Sequence, residues 1–198
     1  MLPAFIDIEA SSLSEHSYPV EIGIALPSLA DDGWRITVRS WLVRPTREWQ
    51  EVPGGWDPAA EQVHGLSLER LLTEGLSPAE VAAELDAQLR GRLVVADTGR
   101  HAHDAAWLSR IADAIGDPWW PTRWRLARET SRDLIVGLAR RSGVTPERLA
   151  EFLRHAPPHP HSAGEDALRE AWFWAAVASN SAAMPTVAPS SVYRRRHA

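Results

Sequence analysis

The sequence contains no cysteine, which excludes disulfides, thiolate zinc sites and cysteine nucleophiles. It contains no lysine either, so all 21 cationic side chains are arginine. That bias fits a GC-rich coding sequence. There is no excess of positive charge: the formal net charge of -5 excludes a broadly basic nucleic-acid coat, though not a local grip on a few phosphates. No apolar run approaches the ~20 residues of a membrane span. The N-terminus shows no basic region and small-residue cleavage site of a secretory signal, so the expectation is a cytoplasmic protein with no membrane partner. What is abundant is tryptophan, ten residues in 198, of which most are expected to fill a core and a few to offer stacking surfaces.

The chain is long enough for one domain with a substantial core. Three strands are expected at about 3–9, 19–27 and 34–44, the last two joined by a hairpin turn at Asp31-Asp32-Gly33. Helices follow. Asp57-Pro58, Ser77-Pro78 and Thr145-Pro146 each set an N-cap residue before a proline at the first helical position, and Ser77 with Glu80 reads as a capping box. Further helices are expected at about 77–90, 104–115, 129–142, 146–155 and 163–179. Short strands are expected at 93–96 and near 124–127. Residues 181–198, rich in Ser, Ala and Pro and ending in Arg194-Arg195-Arg196, read as a disordered tail beyond a domain of residues 1–180. Three meandering strands followed by alternating helix and strand predict an α/β protein with a mixed sheet, antiparallel at one end and parallel at the other.

Three groups of residues could carry chemistry. In Phe5-Ile6-Asp7-Ile8-Glu9, two acids interrupt an apolar strand, and residues two apart on a strand share a face. Two hard oxygen donors on a rigid element suit Mg²⁺ or Mn²⁺; a partly exposed edge strand whose acids meet arginine fits equally well. In His161-Ser162-Ala163-Gly164-Glu165-Asp166, Ser162 and Glu165 match a capping box. His161 and Asp166 then fall at the two positions that meet at a helix entrance. Asp166 is a third candidate ligand, and His161 a candidate general base, against a solvated loop before a well-capped helix. In Val94–Ile111, Asp97 and Asp104 both could face a ligand at the carboxyl end of a sheet, and Asp104 could equally be a plain N-cap. His101 and His103 raise the option of a zinc site with His155, His159 or His161, but the spacing matches no recognised ligand set.

Taken in order, Asp-x-Glu on the first strand, an Asp mid-chain and His-x₄-Asp opening the last helix resemble the DEDDh branch of the DnaQ-like 3′–5′ exonucleases, over about residues 3–178. The resemblance rests on Asp7-Ile8-Glu9, Pro19-Val20-Glu21-Ile22-Gly23, Val63-His64-Gly65-Leu66, Ala102-His103-Asp104-x-x-Trp107-Leu108 and His161-x-Ala163-x-x-Asp166-Ala167. The chain departs from the family where Ser11-Ser12-Leu13 stands for Thr-Thr-Gly-Leu, and where Arg100-His101-Ala102-His103 stands for a His-Asn-Ala segment, which leaves Asp97 in competition with Asp104.

The resemblance implies an RNase H-like three-layer α/β/α fold with a mixed five-stranded sheet. It further implies a nuclease that removes nucleoside 5′-monophosphates from the 3′ ends of single-stranded RNA or DNA. Two divalent cations, Mg²⁺ or Mn²⁺, would be held by Asp7, Glu9, Asp104 and Asp166, roughly 3.5–4 Å apart, with Asp7 bridging and His161 as general base. Ser11, Ser12 and Leu13 would contact the terminal nucleotide, and His64 and Trp107 would line its pocket. Several members of the family are homodimers, so a homodimer is compatible with the resemblance. The alternative is a non-catalytic nucleic-acid-binding module on the same fold; a hydrolase of another phosphodiester is a third reading.

Overall fold

The computed structural model describes residues 1–96, 103–180 and 184–188, and the backbone of 191–193. Strand β1 (Pro3–Ala10) pairs antiparallel with β2 (Pro19–Ala30), and β2 antiparallel with β3 (Gly33–Leu42). The hairpin closes through Asp31 and Asp32, with Ala30 opposite Gly33; Gly33 has a φ of 122°, a backbone region open in practice to glycine. On the other side of β1 runs β4 (Leu93–Val95), parallel to it, and then β5 (Arg125–Leu126), parallel to β4. β1 is therefore a central strand. β4 pairs with β1 over Pro3–Phe5 and β2 over Phe5–Ala10, so Asp7 and Glu9 sit just past the doubly paired stretch.

Two further strands, β6 (Thr186–Val187) and β7 (Ser191–Tyr193), add to β3 in parallel, giving the order β5-β4-β1-β2-β3-β6 with β7 also on β3. This corrects two expectations: among the described residues the sheet has seven strands, and 186–187 and 191–193 are strands where a disordered tail was expected. The physical reason is the outer edge of β3, whose unpaired backbone groups are a template for pairing. Ala188 N–H donates to Ile36 O (2.9 Å), and the Thr186 hydroxyl donates to Trp34 O (3.3 Å).

The helices are α1 (Arg47–Glu51), α2 (Pro58–His64), α3 (Leu68–Glu74), α4 (Pro78–Leu89), α5 (Asp104–Ala114), α6 (Ser131–Arg141), α7 (Pro146–His155) and α8 (Ala163–Ser179). The three caps before proline form: Asp57, Ser77 and Thr145 each accept from a backbone N–H of the first turn, and Ser77 with Glu80 completes a reciprocal capping box.

The alternation of β1 separates two cores. Ala4, Ile6 and Ile8 point to one face, against Val81 and Leu85 of α4 and Leu108 and Ile111 of α5. Phe5 points to the other, with Ala167, Ala171 and Ala175 of α8 and Ile135 and Ala139 of α6. Asp7 and Glu9 follow Phe5 by twos and share its face. The alanines of α8 recur every fourth residue from Ala163, a stripe of small side chains that brings the helix backbone down onto the sheet. The approach is closest at Gly23 on β2, where a Cβ would lie 2.1 Å from the Ala163 carbonyl carbon and 2.2 Å from Gly164 N. Five tryptophans, Trp41, Trp107, Trp120, Trp124 and Trp172, are buried, each contributing upwards of roughly 2 kcal/mol of apolar transfer. Trp120 and Trp124 also donate their indole N–H groups to Asp86 Oδ1 at 3.1 and 2.8 Å.

Candidate active site

The candidate site forms where the end of β1, the start of α5 and the start of α8 meet. Asp7, opposite Gly23, lies directly beneath the point where α8 touches the sheet. Because no side chain fits at Gly23, the first turn of α8 is drawn in, and Asp166 with it. Asp7, Glu9 and Asp166 each offer a carboxylate oxygen, all within 4.8 Å of one another. Asp104 enters from α5 on the opposite face of the sheet and is buried, as is Asp166. It is the first residue of its helix, after His103 as N-cap, so the plain N-cap reading does not apply. Its competitor, Asp97, lies outside the described residues, as do His101 and the rest of that segment.

The acids are electrostatically uncomfortable together. Burial, then the negative charges of Asp104, Glu9, Asp166 and Glu170, push the Asp7 carboxyl from 3.8 up to about 9. Burial, then Asp166 and Glu21, push Glu9 up to about 7; His159 opposes the rise and Asp104 adds to it. Every charge that acts strongly on Asp7 is negative, so arginine does not neutralise the pair. One oxygen of buried Asp166, Oδ1, has no hydrogen-bond partner. His159 Nδ1 stands 2.5 Å from it, but the approach lacks hydrogen-bond geometry. Clustered oxygen donors with raised affinity for positive charge are the donor set of a hard divalent cation. The residues present fit such an ion.

The entrance to α8 differs from the expected capping box. Ser162 is the N-cap residue but makes no side-chain cap bond to its helix. Glu21, a buried carboxylate of β2, accepts from Ala163 N–H at 3.1 Å instead. Burial raises the Glu21 pKa, while hydrogen bonds with Ser40, Ala163 and Ser162 and the charge of Arg70 work against the rise. The cap is thus supplied across the sheet, because the close contact at Gly23 places the helix end over β2. His161 and Asp166 do meet: His161, His159 and Asp166 form a second group with ligand atoms within 4.8 Å. His161 has a φ of 57°, an uncommon conformation for a residue with a side chain. The sequence did not single out Glu21 as a cap or Gly23 as a contact. It named His159 only as one option for zinc.

Beside the acids lies a cavity of about 300 Å³ whose walls include Glu9, Ser12, Leu13, His64 and Trp107. Leu13 is 78% exposed at its rim. Trp107 is fixed by its indole N–H, which donates to Ser17 Oγ at 3.0 Å, and Ser17 in turn donates to Ser12 O at 2.5 Å. His64 Nδ1 accepts from Leu66 N–H, and burial lowers its pKa. Ser11 is placed differently from its neighbours. It is buried, its Oγ accepts from Tyr18 N–H and its carbonyl accepts from Asp57 N–H. Among the expected substrate contacts, it braces the loop that presents Leu13 and does not line the cavity.

No protein-family model matches the chain, and no curated protein matches it in sequence. Solved structures do match in fold. Exonuclease I of E. coli in complex with a dT13 oligonucleotide superposes with a TM-score of 0.58 at 14% identity, over 85% of this chain and 39% of that one. The zinc-bound form of the E. coli exonuclease I–single-stranded DNA complex gives 0.56 at 17% identity, over 89% and 39%. A moderately thermophilic exonuclease I from Methylocaldum szegediense gives 0.58 at 15% identity, over 88% and 40%. The chain spans about two fifths of the length of these proteins. No helix among the described residues is long and apolar enough to cross a membrane. The mixed sheet with helices on both faces is the RNase H-like fold found in exonuclease I.

Proposed function

We propose that the protein is a divalent-cation-dependent 3′–5′ exonuclease of the DEDDh type, acting on single-stranded nucleic acid. The observation that carries this reading is the convergence of Asp7, Glu9, Asp104 and Asp166 from three separated segments, with His161 at the same helix entrance. Asp7, Glu9 and Asp166 would hold one cation, and Asp7 with Asp104 would support a second; Mg²⁺ or Mn²⁺ suits the oxygen donors. When bound, such ions supply charge neutralisation at a scissile phosphate and a lowered pKa for the attacking water. His161, outside the acid set and exposed, would serve as the base that takes a proton from the attacking water. Asp7 is held under α8 by the Gly23 contact, and Glu21 fixes the helix that carries Asp166.

The cavity bounded by Ser12, Leu13, His64 and Trp107 would receive the terminal nucleotide, with the aromatic and aliphatic side chains against the base. Stacking of this kind does not read sequence. The oligodeoxynucleotide in the E. coli complex supports DNA as the first substrate to try, with RNA beside it. A 5′-labelled single strand with Mg²⁺ or Mn²⁺ should give a ladder of shortening products, while a 3′-labelled strand should lose its label as mononucleotide. Binding without shortening in either metal would mark a nucleic-acid-binding module and overturn the proposal.

A further inference from the structure

Besides the acid group, the structure gathers a set of donors of different chemistry. His159, His161 and Asp166 offer two imidazole nitrogens and one carboxylate oxygen within 4.8 Å of one another. The geometry points to a second cation site here, for a borderline transition ion such as Zn²⁺, distinct in ligands from the acid site but sharing Asp166 with it.

Three observations support the site. The first is the donor chemistry: imidazole favours Zn²⁺ and its neighbours in the transition series, whereas Mg²⁺ prefers oxygen alone. The second is a close pair between two of the donors: Asp166 is 5% exposed, and its Oδ1, which makes no hydrogen bond, stands in ion-pair range of His159 Nδ1 at 2.5 Å. Around a tetrahedral zinc, ligand atoms are separated by about 3.3 Å, so the 59%-exposed His159 side chain must swing out by only about 1 Å. The third is the backbone. His159 and His161 flank Pro160, their rings 5.1 Å apart, and His161 is held at a φ of 57°. Arg169 of α8 donates to Pro157 O, which ties the segment to the helix that carries Asp166. Proline and this tether reduce the freedom lost on binding. Two other described histidines raised by the sequence are engaged elsewhere: His103 stacks on Trp107 at 5.3 Å, and His155 Nδ1 contacts Glu151 O.

A zinc ion on this set draws on a carboxylate that the acid site also uses, and it occupies His161. On the exonuclease reading, micromolar Zn²⁺ therefore inhibits turnover supported by Mg²⁺. Binding itself does not depend on that reading, and the experiment separates the two. Zinc is titrated calorimetrically into the protein, into Asp7→Ala and into Asp7→Ala/His159→Ala, while the histidine ring signals are followed by NMR. The expected result is one zinc retained by Asp7→Ala, with the ring signals of His159 and His161 shifting together, and at least tenfold weaker binding once His159 is replaced. Equal zinc affinity with and without His159, or unmoved ring signals, would overturn the site whether or not the protein is a nuclease. In the nuclease assay, His159→Ala should relieve zinc inhibition at constant Mg²⁺; persistence of inhibition with the binding lost would overturn the coupling alone.

Discussion

The carboxylate of Glu21, on β2, accepts a hydrogen bond from the backbone N–H of Ala163, 142 positions later in the chain, at 3.1 Å. It ties the first turn of α8 to the strand beside β1. Removing it leaves a buried amide without a partner, a loss of about 1–3 kcal/mol. Glu21→Ala should lower the denaturant midpoint accordingly and weaken cation binding, because Asp166 rides on the released turn. Glu21→Gln keeps an acceptor and should recover most of both. A Glu21→Ala protein with unchanged midpoint and unchanged cation affinity would show that the contact carries no weight.

Gly23 makes a sharper demand. A Cβ there would meet Ala163 and Gly164 backbone atoms at 2.1–2.2 Å, so Gly23→Ala must push α8 off the sheet. Overpacking of this kind costs roughly 1–3 kcal/mol or more. Gly75→Ala, where a Cβ would also fall within 2.4–2.9 Å of Leu71 and Arg44 backbone but remote from the acids, is the control. Both variants should melt lower, and only Gly23→Ala should lose the rise in melting temperature that Mn²⁺ produces in the unaltered protein. If Gly23→Ala does not fold, Gly23→Ser at the same position will not either, and the Glu21 pair then carries the test of this contact.

Stability should depend on pH in a defined direction when cations are removed. Asp7 and Glu9 have folded-state pKa values raised to about 9 and about 7. Raised acids bind protons more tightly when folded, so their contribution is fully present below the unfolded pKa values and is lost as pH rises through the folded ones. With chelator present, the melting temperature should fall between about pH 4 and pH 9. Millimolar Mg²⁺ or Mn²⁺ should reverse the fall at the alkaline end, and Asp7→Asn should flatten it. A melting temperature that climbs across this window without cations would contradict the shared acid cluster.

His161 is assigned to proton transfer and stands outside the carboxylate set. His161→Ala should slow turnover by roughly 10²–10⁴-fold and leave Mg²⁺ affinity within a few-fold of the unaltered protein. Loss of Mg²⁺ binding in this variant would make His161 a ligand of the acid site.

Much of the architecture was legible because its signals are local. Proline after Asp57, Ser77 and Thr145 marked three helix starts, and Asp31-Asp32-Gly33 marked the hairpin, since each depends on a few consecutive residues. The two acids of β1 were visible as polar interruptions of an apolar strand, but their meaning came from residues far along the chain. Contacts between distant segments were the part that could not be read. Ser162 and Glu165 have the spacing of a capping box, yet the acceptor is Glu21, which the sequence places in an ordinary strand. The added strands at 186–187 and 191–193 depend on an open edge of β3, and Thr186-Val187 alone is too short to announce it. His159 stood among several histidines until the fold set it against Asp166.

The central claim, that the four acids make one cation-dependent exonuclease centre, is tested most directly by one assay. A 5′-labelled single-stranded oligodeoxynucleotide is incubated with the protein or with Asp7→Ala, in Mn²⁺ or in chelator, and the products are resolved by length. The account predicts a ladder of shortening strands for the unaltered protein with Mn²⁺, and intact strand for Asp7→Ala and for the chelated protein. An equal ladder from Asp7→Ala, or shortening that survives chelation, would contradict it.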